Sequence, residues 1–154
     1  MALNENTFIG EYAYTIDAKG RVNVPAKFRQ VLSEDNEQTF VITKGQDPCV
    51  WVYPQIVWQD IMTELRSLSS LSAMNRTVIR STTRYATFSI YDKQGRIQIP
   101  QALIDYAQLD KEVLIIGMVN KIEIWNPANM DQIDQANQEL DPATYEELAN
   151  KIIL

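Results

Sequence analysis

The sequence predicts an α+β protein in which one β-hairpin–helix unit occurs twice, with helices between the two copies and after the second. Three observations carry this. First, Asp17-Ala-Lys-Gly-Arg21-Val-Asn-Val-Pro25 is answered 75 positions later by Asp92-Lys-Gln-Gly-Arg96-Ile-Gln-Ile-Pro100. Second, beyond each proline Phe28, Val31 and Leu32 fall on Leu103, Tyr106 and Ala107, the i, i+3, i+4 spacing of one helical face. Third, both copies end at a proline, Pro54 and Pro127, that opens a longer helix. So many coincidences in the same order identify an internal duplication.

Taken in order, Phe8, Tyr12, Tyr14 and Ile16 alternate along one strand face, and Val22 and Val24 alternate after a turn. Gly20 and Gly95 sit where a tight connection needs a positive φ. Pro25 and Pro100 stop the strand and begin a short amphipathic helix. A second hairpin follows through residues 39–43 and 49–53, answered by 112–117 and 121–125. Gly45 and Tyr53 match Gly117 and Trp125 at a shift of 72, so the first copy carries about three extra residues, placed in the polar loop 33–38. Helices are expected over 54–68, with Val57, Ile61, Leu65 and Leu68 on one stripe, and over 72–83. Two more, over 127–140 with Asn126 as N-cap and over 142–153, close the chain. The organisation is thus a first unit over 7–54, a helical connection over 55–83, a second unit over 84–127 and C-terminal acidic helices over 128–154.

Composition narrows the chemistry. The chain has no histidine, and so lacks the commonest general base and metal ligand. Its single cysteine, Cys49, rules out an internal disulfide and suits a reducing cytoplasm. The five glycines are scattered and form no phosphate-binding loop. Nothing selects a catalytic pair of carboxylates. Neither an enzyme, a metal site nor a cofactor is expected. No run approaches a membrane span, and the first residues do not read as a signal peptide.

The net charge of −6 is unevenly spread. Residues 1–121 hold 13 Lys/Arg and 13 Asp/Glu, whereas residues 122–154 hold one and seven. The body is neutral and the tail acidic. Within the body, Lys19, Arg21, Lys27 and Arg29 stand against Asp17 in the first copy, and Lys93 and Arg96 against Asp92 in the second. A loop tip that projects cations beside a small glycine suits approach to phosphates or a groove, and arginine pairs with guanine edges. The aspartates read equally as carboxylates that close the turn.

Lys27 and Arg29 are replaced in the second copy by Ala102 and Ile104. The first copy is therefore expected to be the better DNA face, and the helix around Ile104 to pack against protein, within the chain or between chains. Phe88 and Ile90 make the strand before it apolar on its second face, as in a strand covered on both sides. Arg76, Arg80 and Arg84 form a helical stripe that reads as a solvated face, with a second DNA contact as the alternative. Trp51, Trp58, Trp125 and Cys49 read as packing residues.

The strand–turn–strand–helix unit built on D-x-x-x-R, followed by an apolar strand and proline, resembles the AbrB-like swapped-hairpin transcription factors. Most of those carry one copy per chain and pair two chains. Both copies in one chain, with C-V-W-V-Y-P closing the first and K-I-E-I-W the second, make residues 8–125 similar to the MraZ family. The resemblance implies a double swapped-hairpin AbrB-like β-barrel and ring-like self-assembly. It further implies binding to short promoter repeats of the bacterial division and cell-wall gene cluster, in the cytoplasm at the nucleoid. On that reading Lys19, Gly20, Arg21, Lys27, Arg29, Lys93 and Arg96 bind double-stranded DNA, while Asp17, Asp92 and Gly95 shape the loops. The partners are DNA and further copies of the chain, not a membrane. The rival reading is an antitoxin-type protein-interaction module. Two full copies and a helical tail, in place of one copy with an extended tail, count against it.

Overall fold

The structure, a computed structural model, describes residues 4–153. Strands β1 (Phe8–Thr15) and β2 (Arg21–Asn23) and helix α1 (Ala26–Gln30) begin the first repeat; strands β3 (Thr39–Lys44) and β4 (Val50–Pro54) complete it. Helices α2 (Gln55–Arg66) and α3 (Ala73–Thr83) follow. The second repeat comprises β5 (Thr87–Ile90), β6 (Arg96–Gln98), α4 (Gln101–Ala107), β7 (Glu112–Val119) and β8 (Ile122–Trp125). Helices α5 (Pro127–Leu140) and α6 (Pro142–Ile153) end the chain.

The repeats do not fold side by side; they exchange strands. A six-stranded antiparallel sheet runs β1-β7-β8-β4-β3-β5, and a separate two-stranded ribbon pairs β2 with β6. The first strand of each repeat therefore lies against the other repeat: Tyr12 opposite Ile115, and Phe88 opposite Val41. One core draws on both, with Val22, Phe28 and Ile42 from the first packed among Ile97, Leu103 and Ile124 from the second. Neither repeat holds a full complement of these contacts alone. On the opposite face of the sheet α2 covers β3 and β4, seating Trp58 on Val41 and Tyr53.

Two buried polar side chains tie distant segments together. The extra residues of the first repeat form a 3-10 turn (Glu34–Asn36) whose Asn36 is fully buried. Its Oδ1 accepts from the Ile56 backbone N–H at 2.9 Å and its Nδ2 donates to Asn6 Oδ1 at 2.9 Å, fixing the start of α2. Glu123 accepts from the indole N–H groups of Trp51 and Trp125, each at 2.8 Å, and from the Cys49 thiol at 3.6 Å. Burial, together with the Glu123 carboxylate, pushes the Cys49 thiol well above its usual range. All three tryptophans serve packing, Trp51 and Trp125 in their strands and Trp58 on α2.

The second face of β5 departs from expectation. Phe88 and Ile90 are 63% and 66% exposed, because α2 reaches β3 and β4 but not the edge strand beside them. In the single chain that face is uncovered. No helix of the described residues is long and apolar enough to cross a membrane.

Candidate nucleic-acid interface

The two Asp-x-x-Gly-Arg turns are brought to one place by the β2–β6 ribbon. Its register sets Arg21 opposite Gln98, Val22 opposite Ile97 and Asn23 opposite Arg96. Side chains alternate across a strand, so Val22 and Ile97 point inward, 1% and 2% exposed. Arg21, Asn23, Arg96 and Gln98 share the outer face. Lys19 and Lys93 are exposed on the turns at the two ends of the ribbon.

Each turn is built by its aspartate. Asp17 Oδ1 accepts from the backbone N–H groups of Lys19 and Arg21, both at 2.9 Å, and Oδ2 accepts from Arg21 Nε at 2.7 Å. Asp92 repeats the pattern with Gln94, Arg96 and Arg96 Nε, each at 2.9 Å. The backbone N–H of Arg21, aided by its guanidinium and by the Lys19 N–H, holds Asp17 below the usual carboxylate range; Arg96 and Gln94 do the same for Asp92. Arg96 Nη1 also lies 4.0 Å from Asp17 Oδ2, linking the turns across the ribbon. A guanidinium has five donors. The intraturn bond takes Nε, which leaves the terminal nitrogens outside it, although Arg96 Nη1 also faces Asp17. Four cations on the ribbon and its turns face two carboxylates.

Each turn also rests on the opposite repeat. Val24 N–H donates to Gly95 O, and Ile99 N–H to Gly20 O, both at 2.8 Å. The Asn23 side-chain amide donates to Gln94 O at 2.9 Å, and that of Gln98 to Lys19 O at 3.1 Å. Asn23 and Gln98 were not singled out from the sequence, although both are the polar residue between two apolar ones at the same repeat position. Gly20 and Gly95 have φ of 81° and 79°, the left-handed region that glycine enters without steric penalty.

The difference between Arg29 and Ile104 takes on a new meaning in space. Ile104 packs on the first turn: a Cβ placed on Gly20 would meet its Cδ1 at 3.1 Å. Arg29 packs on the second turn in the same manner, where a Cβ on Gly95 would meet its Cζ at 2.6 Å. Arg29 Nε donates to Val24 O at 3.1 Å, and the guanidinium lies 5.8 Å from the Tyr91 ring centroid. Ile104 thus lies in an interface internal to the chain. The charge of Arg29, counted with the first copy along the sequence, is placed beside the turn of the second. The imbalance between copies is thereby evened out: Lys19, Arg21 and Lys27 stand against Asp17, and Lys93, Arg96 and Arg29 against Asp92, with Lys27 exposed on α1.

Other sequence candidates lie elsewhere. On α3, Arg76 donates through Nη1 to the backbone oxygens of Ser70 and Leu71 at 2.8 and 3.1 Å, closing the connection from α2. Arg80 and Arg84 are exposed on the same helix flank. Among the described residues no cluster of His, Cys, Asp or Glu is arranged to hold a metal ion.

Comparison with known proteins agrees with this duplicated arrangement. The family described as "MraZ protein, putative antitoxin-like" matches the chain twice, over residues 7–81 and 84–151. The match therefore runs past residue 125 and takes in the C-terminal helices. The chain is 43% identical over 143 residues to the transcriptional regulator MraZ of Halothermothrix orenii, covering 92% of this chain and 94% of that protein. It is 40% identical over 146 residues to the protein of the same name from Desulforamulus reducens, covering 95% and 97%.

Proposed function

The chain belongs to the MraZ family, and we propose that it is a transcriptional regulator that binds double-stranded DNA through the β2–β6 ribbon and its two turns. The observation that carries this reading is the presentation of both Asp-closed turns on one outward face, with Lys19, Arg21, Lys93 and Arg96 alongside Asn23 and Gln98. A two-stranded ribbon fits the major groove. In this reading Lys19 and Lys93 hold phosphates and set the register, and the terminal nitrogens of Arg21 and Arg96 reach base edges. Gly20 and Gly95 let the turn backbone approach closely. Arg29 and Lys27 add charge at the margins.

On this reading the fold is a double swapped-hairpin barrel, in which one chain does what two chains do in single-copy relatives; the strand exchange between repeats supports it. One ribbon makes few phosphate contacts, and the chain as a whole is acidic. A ring-like assembly that sets several ribbons along tandem promoter repeats raises affinity through effective concentration without new contacts. The family resemblance directs attention to the promoter of the division and cell-wall gene cluster, and so to a nucleoid-associated protein of the cytoplasm.

Retention of genomic fragments on the purified protein, followed by footprinting, tests this. Expected is protection of short repeats spaced in register, lost in the double variant Arg21→Ala/Arg96→Ala. Retention without sequence preference, or retention unchanged in that variant, removes the ribbon from the mechanism.

A further inference from the structure

A cleft of about 300 Å³ opens on the helical side of the sheet, between α2, α3 and the turn from β3 to β4. That volume lies at the lower end of small-molecule sites. Three aromatic rings in contact line it. Trp51 and Tyr53 from β4 meet edge to face with centroids 6.2 Å apart, and Trp58 from α2 lies 5.6 Å from Tyr53. The walls are tied down. The Tyr106 hydroxyl, from α4, donates between Gly45 O at 3.0 Å and Asp47 O at 3.1 Å, which fixes the β3–β4 turn. Thr43 Oγ1 lies 3.5 Å from Thr82 O, which joins α3 to the sheet.

Three groups left open on this cleft are donors. Tyr53 and Trp58 are 6% and 4% exposed, yet neither the Tyr53 hydroxyl nor the Trp58 indole N–H has a hydrogen-bond partner among the described residues. Among those residues no fully buried polar side-chain atom is left unpaired, so both groups open on the cleft that their residues line. The other two tryptophans differ, since Glu123 takes their N–H groups. Lys44 is exposed at the rim. Its ammonium lies 4.5 Å from the Tyr106 ring centroid, with no carboxylate within 4.0 Å among the described residues. An indole N–H and an ammonium can only donate. Water would meet these donors but leave the ring faces wet, which is unfavourable in proportion to their apolar area.

We propose that this cleft binds a small planar organic anion, an aromatic ring bearing a carboxylate or a phosphate. The ring packs among Trp51, Tyr53 and Trp58, where offset and edge contacts are favourable. The anionic group accepts from the Tyr53 hydroxyl, the Trp58 N–H and the Lys44 ammonium, hydrogen bonds that a charged acceptor strengthens. Lys121 adds a second positive charge nearby, its ammonium 4.6 Å from the Trp51 centroid and 5.5 Å from that of Tyr53. The site is separate from the β2–β6 ribbon and draws on none of its residues.

Indole N–H resonances of the full chain test this, with Trp58→Phe assigning the Trp58 signal. Titration with benzoate and with phenyl phosphate should move that signal saturably. The signal of Trp125, bound to Glu123 and 2% exposed, should stay in place. Benzamide, benzylamine, acetate and inorganic phosphate each lack the ring or the negative charge, and should need about tenfold higher concentration. Whichever of the two anions saturates first identifies the natural ligand as a carboxylic acid or a phosphate ester. Lys44 is exposed, so Lys44→Gln should melt like the parent, yet bind benzoate no better than benzamide. Tyr53→Phe keeps the ring and should weaken binding through loss of one donor. A Trp58 signal that neither anion moves overturns the site. Equal responses to benzoate and benzamide, or an anion preference that survives Lys44→Gln, overturn its assignment to anions. An equal response to acetate overturns the role of the rings. Each of these failures leaves the DNA-binding reading standing.

Discussion

Val22 lies directly across the β2–β6 ribbon from Ile97, the residue that occupies its own position in the second repeat. The same holds at the other end of the fold, where Trp51 lies across from Glu123, its counterpart at the shift of 72. A pseudo-twofold axis therefore passes through both pairs. It sends the first turn to the place of the second, which is why the two Asp–Arg constructions share one surface.

That symmetry predicts comparable roles for the two ribbon arginines. Arg21→Ala and Arg96→Ala should each weaken binding of a specific fragment, by about 1–3 kcal/mol if the side chain reads a base. Gel shifts on one fragment, with melting curves to confirm the fold, measure this. A loss confined to one variant would mean that only one turn enters the groove.

Binding should also depend steeply on salt. Each neutralised phosphate contributes a slope of about −0.9 to log K against log salt. Lys19→Ala should make the slope shallower by roughly one for each Lys19 that is engaged. A parent response that is flat from low to moderate salt would falsify the phosphate-contact reading.

The two turn glycines should tolerate alanine unequally. Both substitutions incur the left-handed penalty of about 1–2 kcal/mol. At Gly20 the new Cβ also meets the Ile99 carbonyl oxygen at 2.8 Å, a backbone atom of a residue whose N–H is bonded to Gly20 O, whereas at Gly95 it meets the Arg29 guanidinium, the far end of a flexible side chain. Gly20→Ala should therefore lower the melting temperature more than Gly95→Ala. Equal shifts would show that Arg29 is as rigidly held as a backbone carbonyl.

Ile104→Glu should destabilise the fold, since the side chain packs on the Gly20 turn and on the shared core. Loss of its partial burial costs about 1–2 kcal/mol, and a charge near the core adds to that. Denaturant titration should show a lower midpoint with an unchanged slope. A variant that unfolds like the parent would place residue 104 in solvent.

Acid should loosen the turns. Asp17 and Asp92 titrate below their ordinary value in the fold. Their contribution is present above the unfolded-state pKa of about 3.9 and is lost as the pH falls through the lower folded-state value. Amide NMR shifts of Lys19 and Arg21 should follow the Asp17 carboxyl and move only below pH ~3.9. In Asp17→Asn that titration should vanish from the first turn and persist in the second. A midpoint at or above the ordinary aspartate value would mean that the turn bonds do not form in solution.

The elements were largely legible along the chain, because strand alternation, proline at helix starts and glycine in turns are local signals. The helices over 127–140 and 142–153 match α5 and α6 in full, and the polar loop 33–38 holds the 3-10 turn. The duplication itself was legible for a similar reason: both copies of the turn must satisfy the same backbone geometry, so they keep the same residue types at the same spacing.

Which copy touches which was not legible in the residue pattern itself; only the resemblance to swapped-hairpin proteins implied an exchange between copies. Strand exchange places Arg29 beside Gly95 and Ile104 beside Gly20, and so moves a charge from one turn to the other with no trace in the local pattern. Residue types record the backbone conformation and burial each position needs, and those needs are met equally by a partner in the same repeat or in the other. The choice between them belongs to a core that neither repeat completes alone, with Val22 and Ile97 closing it from opposite copies. For the same reason Phe88 and Ile90 read as covered: their apolar character is written in the sequence, but what lies over them depends on where α2 ends across the sheet.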